Sequence, residues 1–418
     1  MSLLPVEDAL ERLLKSARPP DRSESVPLHE ACDRVLAVDV AARLTQPPFD
    51  NSAMDGYALR HEDIVEPGAT LRVIGRSAAG HAFSGTVGPG EAVRIFTGAP
   101  LPAGADTVLL QEDAETVGDD RIRSTFLPQR GRHIRPRGQD FAEGEVVLRK
   151  GQMLDAARLT VAAAMNHAVL NVYARPKVAL LATGDELVPP GSALGPSQIV
   201  ASNSFGVAAL AREAGAEVID LGIAADDPNA IMDAVDWAKA CGADVLVTLG
   251  GASVGDHDLV QPVLVSAGME LDFWRIAMRP GKPLMVGRLG GMHILGLPGN
   301  PASSMVCALL FLEPLVRKLS RLPAFDRRTF ALAGTALAAN DHRQDHLRAT
   351  LAVRDDGALV ATPYDKQDSS MMKVFAAADC LLIRPPHAEP AEAGDPCEIL
   401  LLRPPPTNRQ FPAPGPAG

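Results

Sequence analysis

The first segment carries its apolar residues at helical spacing. Val6, Leu10, Leu13, Leu14 and Ala17 share one face, with Glu7, Asp8, Glu11 and Arg12 off it, which predicts an amphipathic helix over 5–17. Pro19-Pro20 ends it. From about 45 to 138 the pattern shortens. Leu71-Arg72-Val73-Ile74 and Ala92-Val93-Arg94-Ile95-Phe96 read as strands, punctuated by glycines and prolines such as Gly88-Pro89-Gly90 and Gly98. This predicts a small all-β unit. Helix formers return over 153–168 and stop at Asn166-His167. The β-rich stretch therefore reads as an insertion between two parts of one helical layer.

From about 176 to 320 strand and helix alternate. Strands are expected at 178–182, 217–223, 245–249 and 293–297, and helices at 204–214, after Pro228, and as one long element over 301–319. Repeated strand–helix units predict a mostly parallel sheet with helices on both faces, and the unbroken apolar run at 178–182 suits a strand buried on both sides. Strand character returns over 325–403, clearest at 349–353 and 380–383. The expected fold is thus multidomain α/β plus β. A discontinuous linking domain spans 1–44 plus 139–175, a β-rich inserted domain 45–138, a central α/β domain 176–322 and a small C-terminal β domain 323–403. The proline-rich tail, 404–418, is expected to be disordered.

Composition narrows the class. The 418 residues are 46% hydrophobic and 22% charged, as in soluble globular chains, and only 4% aromatic, so the cores must be aliphatic. A net charge of −11 argues against nucleic acid or an anionic membrane as partner. The five cysteines form no CxxC pair and no disulfide framework, which points to a reducing compartment and a cytoplasmic location. No run of about eighteen apolar residues predicts a membrane span, and the N-terminus has no secretory pattern.

Ligands of open parallel sheets bind beyond the carboxyl ends of the strands. The informative residues are therefore the turns there: Thr183-Gly184-Asp185-Glu186, Ala225-Asp226-Asp227-Pro228, Gly250-Gly251-Ala252-Ser253 running on to Asp256-His257-Asp258, and Pro298-Gly299-Asn300-Pro301. Gly250 and Gly251 let backbone N–H groups approach an anion, and Ser253 adds a hydroxyl. Acids beside an anion call for a bridging Mg²⁺, with Glu186, Asp226, Asp256 and Asp258 as candidates. Each turn also has a plainer reading. Gly-Gly makes tight turns, Asp-Asp-Pro caps helices, and acids offset a helix dipole. Arg279-Pro280-Gly281-Lys282-Pro283 supplies cations in a turn that is otherwise an exposed hairpin. Arg130, Arg132, His133, Arg135 and Arg137 either attract an oxyanion or pair with neighbouring acids. On the sheet edge alone, a metal-dependent phosphohydrolase is the natural reading.

Two patterned loops add specificity. Phe49-Asp50-Asn51-Ser52-Ala53-Met54-Asp55-Gly56-Tyr57-Ala58 and Phe96-Thr97-Gly98-Ala99-Pro100-Leu101-Pro102 resemble signatures of the MoeA and gephyrin E-domain family. The Thr183-Gly184-Asp185-Glu186-Leu187, Gly250 to Gly255, Arg279 to Pro283 and Leu297 to Pro301 runs resemble that family's molybdopterin-binding domain, in the family's order over about residues 5–400. Arg279 stands where many relatives have Lys, which replaces a point charge by a planar fork.

The resemblance implies a molybdopterin molybdenumtransferase acting as an elongated homodimer. It would take adenylylated molybdopterin and molybdate, release AMP, and need Mg²⁺. It implies that Asp226 and Asp258 hold the metal, with Asp258 preferred over Asp256 by little. Glu186, with Thr183 and Gly184, would face the pterin-phosphate pocket, and Gly250, Gly251 and Ser253 would cradle the anion. Arg279 and Lys282 would form the basic turn, and Pro298 and Pro301 the pocket floor. Asp55, Thr97 and Asp140 would come from the partner subunit, while Arg348 and Ser370 are candidates for the oxyanion end. A molybdopterin adenylyltransferase is an implied protein partner. The alternatives are an adenylyltransferase-like activity, which lacks the two β segments, and a scaffold, which calls for extra linkers.

Overall fold

The computed structural model describes residues 3–251 and 259–405. The chain divides into two compact units, one of 1–22 with 173–418 and one of 23–172.

The second unit carries a six-stranded sheet in the spatial order Thr107–Leu110, Gly56–Leu59, Glu91–Ile95, Thr70–Ser77, Arg121–Ser124 and Ala114–Val117. Its two faces bury separate small clusters, Leu59, Leu71, Leu109 and Ile122 on one and Ala58, Ile95 and Val108 on the other. A further core, with Leu36, Leu154, Met165 and Val172, gathers around the helix Ala156–Ala164. Asp155 caps that helix, its carboxylate accepting the Arg158 N–H at 2.9 Å.

In the first unit a six-stranded sheet runs in the order Glu217–Ala224, Lys177–Thr183, Val245–Leu249, Met292–Leu297, Met285–Leu289 and Glu270–Trp274. The first four strands are mutually parallel, the fifth runs antiparallel to them and the sixth antiparallel to the fifth, so the four turns singled out above leave from one edge. All five residues of Val245–Leu249 are buried, as a strand covered on both faces requires. Asn203–Glu213 and the long helical element from Pro301 cover one face, and Pro228–Ala240 with Val260–Ser266 the other. The N-terminal helix Val6–Ser16 also belongs here, since Val6, Ala9 and Leu13 enter the same core as Val178 and Phe311.

The element expected as one helix over 301–319 contains a π segment, Ala308–Leu312, between Pro301–Cys307 and Glu313–Leu319. Pro314 offers no N–H to the carbonyl one turn back, and the wider turn absorbs that loss.

The C-terminal strands close on themselves. Gln344–Val353 pairs with Leu359–Pro363, that with Arg328–Ala333, that with Pro396–Leu401, that with Cys380–Arg384, and the last again with Gln344–Val353. A short strand from the α/β region, Met278–Arg279, joins this barrel by pairing in parallel with Gln344 and Asp345. Among the described residues no helix is long and apolar enough to cross a membrane.

Candidate active site

The four strand-end turns surround one cleft of about 670 Å³, lined among others by Thr183, Gly184, Glu186, Asp226, Gly250, Gly251, Pro298 and Pro301. Its geometry depends on glycine. Gly250 has φ +100°, and a Cβ there would stand 2.9 Å from the Thr183 carbonyl oxygen, so only hydrogen fits between the two turns. The Thr183 hydroxyl is buried beside Gly250 and has no hydrogen-bond partner among the described residues. Gly184, at φ +148°, lets the Glu186 carboxylate fold back to where its own Cβ would be, 2.5 Å from that point. Ser253 and Asp258 lie outside the described residues.

The two adjacent acids after the second strand have separate tasks. Asp227 is the helix cap: its Oδ2 accepts the Ala230 N–H at 2.9 Å, with Pro228 in the first turn. Asp226 lines the cleft, held by its own N–H donating to Asp185 Oδ1 at 3.0 Å. The capping alternative therefore belongs to Asp227, and Asp226 stays free for chemistry. Across the cleft, Asn203 at the start of the helix Asn203–Glu213 donates from Nδ2 to the Gly299 carbonyl at 2.7 Å and fixes the fourth turn. Sequence reasoning missed Asn203, since an Asn at a helix start reads as a local cap.

The basic turn differs from expectation. Arg279 does not line the cleft. Its Nε donates to Asp345 Oδ1 at 2.7 Å, its Nη2 bonds the other oxygen of the same carboxylate, and Asp341 lies 3.5 Å from Nη1. The Asp345 bond raises the Arg279 pKa further, so the guanidinium is committed to the barrel. A guanidinium makes this fork possible, where a Lys would offer a point charge. Lys282 is exposed and does not line the cleft, whereas Pro283 does.

Arg348 is also placed otherwise than expected. It is fully buried, its Nε donating to Gln367 Oε1 at 3.0 Å and its Nη1 to the Asp368 carbonyl at 2.7 Å, while Nη2 has no partner among the described residues. Burial lowers its pKa. Arg348 thus shapes the loop that presents Ser370, which does line the cleft. Asp368 Oδ1 accepts both the Ser370 hydroxyl, at 2.6 Å, and the Ser370 N–H, at 2.8 Å, and these bonds hold the carboxyl below its usual pKa. Ser369 accepts the Ala302 N–H at 2.9 Å, which ties the loop to the residue after Pro301. Gln367 and Asp368 carried no sequence signal, because their partners are side chains and turns distant along the chain.

In the other unit, the patterned loops meet. Asp55 Oδ1 accepts both the N–H and the hydroxyl of Thr97 at 2.8 Å, and these bonds, helped by Arg94, lower its pKa. Asp50 accepts the Arg137 N–H at 2.7 Å, so the basic stretch is tied to the first loop. Arg130 pairs with Asp106 at 2.8 Å, and Arg132 stacks on Phe126. The Asp140 side chain is exposed, and its N–H donates to the Gln46 carbonyl.

Three family models cover the chain: the MoeA N-terminal region (domains I and II) over 4–166, the probable molybdopterin-binding domain over 179–318, and the MoeA C-terminal region (domain IV) over 331–402. The chain is 34% identical to the molybdopterin molybdenumtransferase of Haemophilus influenzae over 94% of its own length and 97% of that protein's. It is 37% identical to molybdopterin molybdenumtransferase 2 of Mycobacterium tuberculosis, covering 91% of this chain and 95% of the relative. The solved molybdopterin biosynthesis MoeA protein of Pyrococcus horikoshii superposes with a TM-score of 0.81 at 30% identity, covering 96% of this chain and all of that one. Cleft, loops and full-length similarity agree, and the chain belongs to the MoeA family of molybdopterin molybdenumtransferases.

Proposed function

We propose that this protein inserts molybdenum into adenylylated molybdopterin in molybdenum cofactor biosynthesis, releasing AMP, and that it does so as a homodimer. The observation that carries this reading is the convergence of four strand-end turns on one cleft that offers both carboxylates and a glycine turn. The glycine turn suits a phosphate, whose oxygens accept from closely approaching backbone N–H groups. Glu186 and Asp226 are hard oxygen donors, and among the described residues no Cys or His lines the cleft. That donor set fits Mg²⁺, which takes one or two carboxylates and keeps its waters. Glu186 and Asp226, with Asp258, would hold the ion, and when bound it neutralises the phosphoanhydride charge.

The chain's own residues bind and orient. Gly250 and Gly251 seat the anhydride, and Ser370 and the 298–301 turn fix its far side. One molybdate oxygen bonds the anhydride phosphorus as its Mo–O bond breaks, AMP leaves with the electron pair of the cleaved P–O bond, and molybdenum bonds the substrate's two dithiolene sulfurs, whose protons are released. In the dimer, Asp55, Thr97 and Asp140 of the second copy complete the cleft, with Lys282 as a cation near its mouth. A molybdopterin adenylyltransferase is the protein that would deliver the substrate. The test is purified protein with adenylylated molybdopterin, molybdate and Mg²⁺. Molybdate-dependent AMP release with cofactor formation is expected, and AMP release that ignores molybdate would refute the reading.

A further inference from the structure

Two arginines face each other on the six-stranded sheet of the 23–172 unit. Along Thr70–Ser77 and Glu91–Ile95, Arg72 stands opposite Glu91 and bonds it at 2.6 Å, as cross-strand partners of opposite sign do. Further along the same two strands Arg76 stands opposite Arg94 instead, and like charges in that relation repel. Phe96 offsets part of this. Its ring centroid is 4.4 Å from the Arg76 guanidinium and 4.9 Å from that of Arg94, which also lies 5.0 Å from the ring of Tyr57 on the next strand. A ring brings a quadrupole and no charge, so two positive charges remain side by side. Neither guanidinium is ion-paired among the described residues. Asp55 acts on Arg94 through space, but its Oδ1 is taken by the Thr97 N–H and hydroxyl.

The pair leaves donors open as well as charge. Arg94 uses two of its five N–H donors, from Nη1 to the Gly56 carbonyl at 2.9 Å and from Nη2 to Gln111 Oε1 at 2.5 Å, and these bonds hold its plane. Arg76 is exposed, and its side chain donates to nothing among the described residues. Two neighbouring guanidiniums, one fixed and one open, match an anion with two charges and several oxygens, whereas a single carboxylate would neutralise only one of them. In a chain of net charge −11, such a pair is also a local reversal of sign that concentrates anions. We infer that Arg76 and Arg94 form a second anion site, which takes a tetrahedral dianion of the class of molybdate or a phosphate monoester. It uses no residue of the strand-end cleft and stands independently of the functional reading above.

Calorimetric titration of the full chain with sodium molybdate, and separately with inorganic phosphate, tests this in chloride buffer. Arg76→Ala should weaken at least one of the two anions about tenfold, and Arg76→Lys should recover part of the affinity, since a point charge then replaces a fork. Loss confined to molybdate assigns the site to the free oxyanion. Loss confined to phosphate assigns it to a phosphorylated ligand, and loss of both marks a site open to either. The Arg76 side chain makes no hydrogen bond among the described residues, so the variant should fold. Without anion it should melt no lower than the wild type, because the repulsion goes with the side chain. No binding of either anion by the wild type, or binding of both unchanged in Arg76→Ala, overturns the inference. An anion-free Arg76→Ala that melts lower than the wild type also overturns it, because the pair is then a stabilising stack on Phe96.

Discussion

Asp226 and Asp227 are adjacent, chemically identical and exposed, yet Asp227 caps a helix while Asp226 lines the cleft, where we propose that it holds the metal. Replacing each by Ala should therefore produce opposite phenotypes. Asp227→Ala removes the carboxylate that accepts the Ala230 N–H, a cap worth about 1 kcal/mol. In a unit of this size, that loss lowers Tm by roughly 2–4 °C. Turnover should stay within about twofold, because the Asp227 carboxylate does not line the cleft. Asp226→Ala removes no side-chain hydrogen bond among the described residues, so stability should hold within about 0.5 kcal/mol. Turnover is another matter. A carboxylate about 4 Å from a bound cation contributes on the order of 4 kcal/mol per unit charge at an effective dielectric of about 20. Solvation of an exposed group takes back part of this, leaving a loss of roughly 10²-fold in kcat. The assays are calorimetric melting and molybdate-dependent AMP release on both variants. If Asp226→Ala melts early and Asp227→Ala is the inactive one, the division of labour is refuted.

Three further expectations follow from the same geometry. Gly250→Ala places a Cβ against the Thr183 carbonyl at a φ of +100°, and should cost about 1–3 kcal/mol in urea unfolding. His346 is fully buried, and burial lowers its pKa from 6.5 to about 3. The unfolded chain therefore binds a proton that the folded one refuses, so stability falls as pH drops from 6.5 toward 3; His346→Gln should flatten that slope in melts across the range. Arg279→Leu leaves the nearly buried Asp345 carboxylate unpaired and should cost about 1–3 kcal/mol, with Arg279→Lys recovering only part, as read by guanidinium unfolding.

The sheet edge was readable from sequence because unbroken apolar runs mark the strands, and the turns after them carry unusual glycines and acids. The Asp55–Thr97 bond joins two loops that had each been marked by their patterning alone. What stayed hidden was long-range pairing. Nothing along the chain says that Arg279 turns to Asp345, 66 positions away, instead of to a ligand. Nor does a strand pattern reveal that Arg348 is sealed under the Gln367–Ser370 loop, since an Arg in a strand ordinarily points to solvent. Between Asp226 and Asp227 the resemblance picks Asp226, and the structure adds that Asp227 is the carboxylate within reach of the Ala230 amide.

The strand Met278–Arg279 lies in sequence between two strands of the parallel-edged sheet, yet it hydrogen-bonds to the C-terminal barrel. Two architectures that would otherwise be separable modules thus hold a piece of backbone in common. A chain cut after Leu322 would lose the partner of that strand, and a barrel expressed from residue 323 onward would begin life with an open margin where Gln344 and Asp345 expect a neighbour. Recombination between relatives at this boundary is therefore constrained. The barrel pairs with the strand that leads into the turn carrying Gly281 and Lys282, so a cut at this boundary would separate hydrogen-bonded backbone.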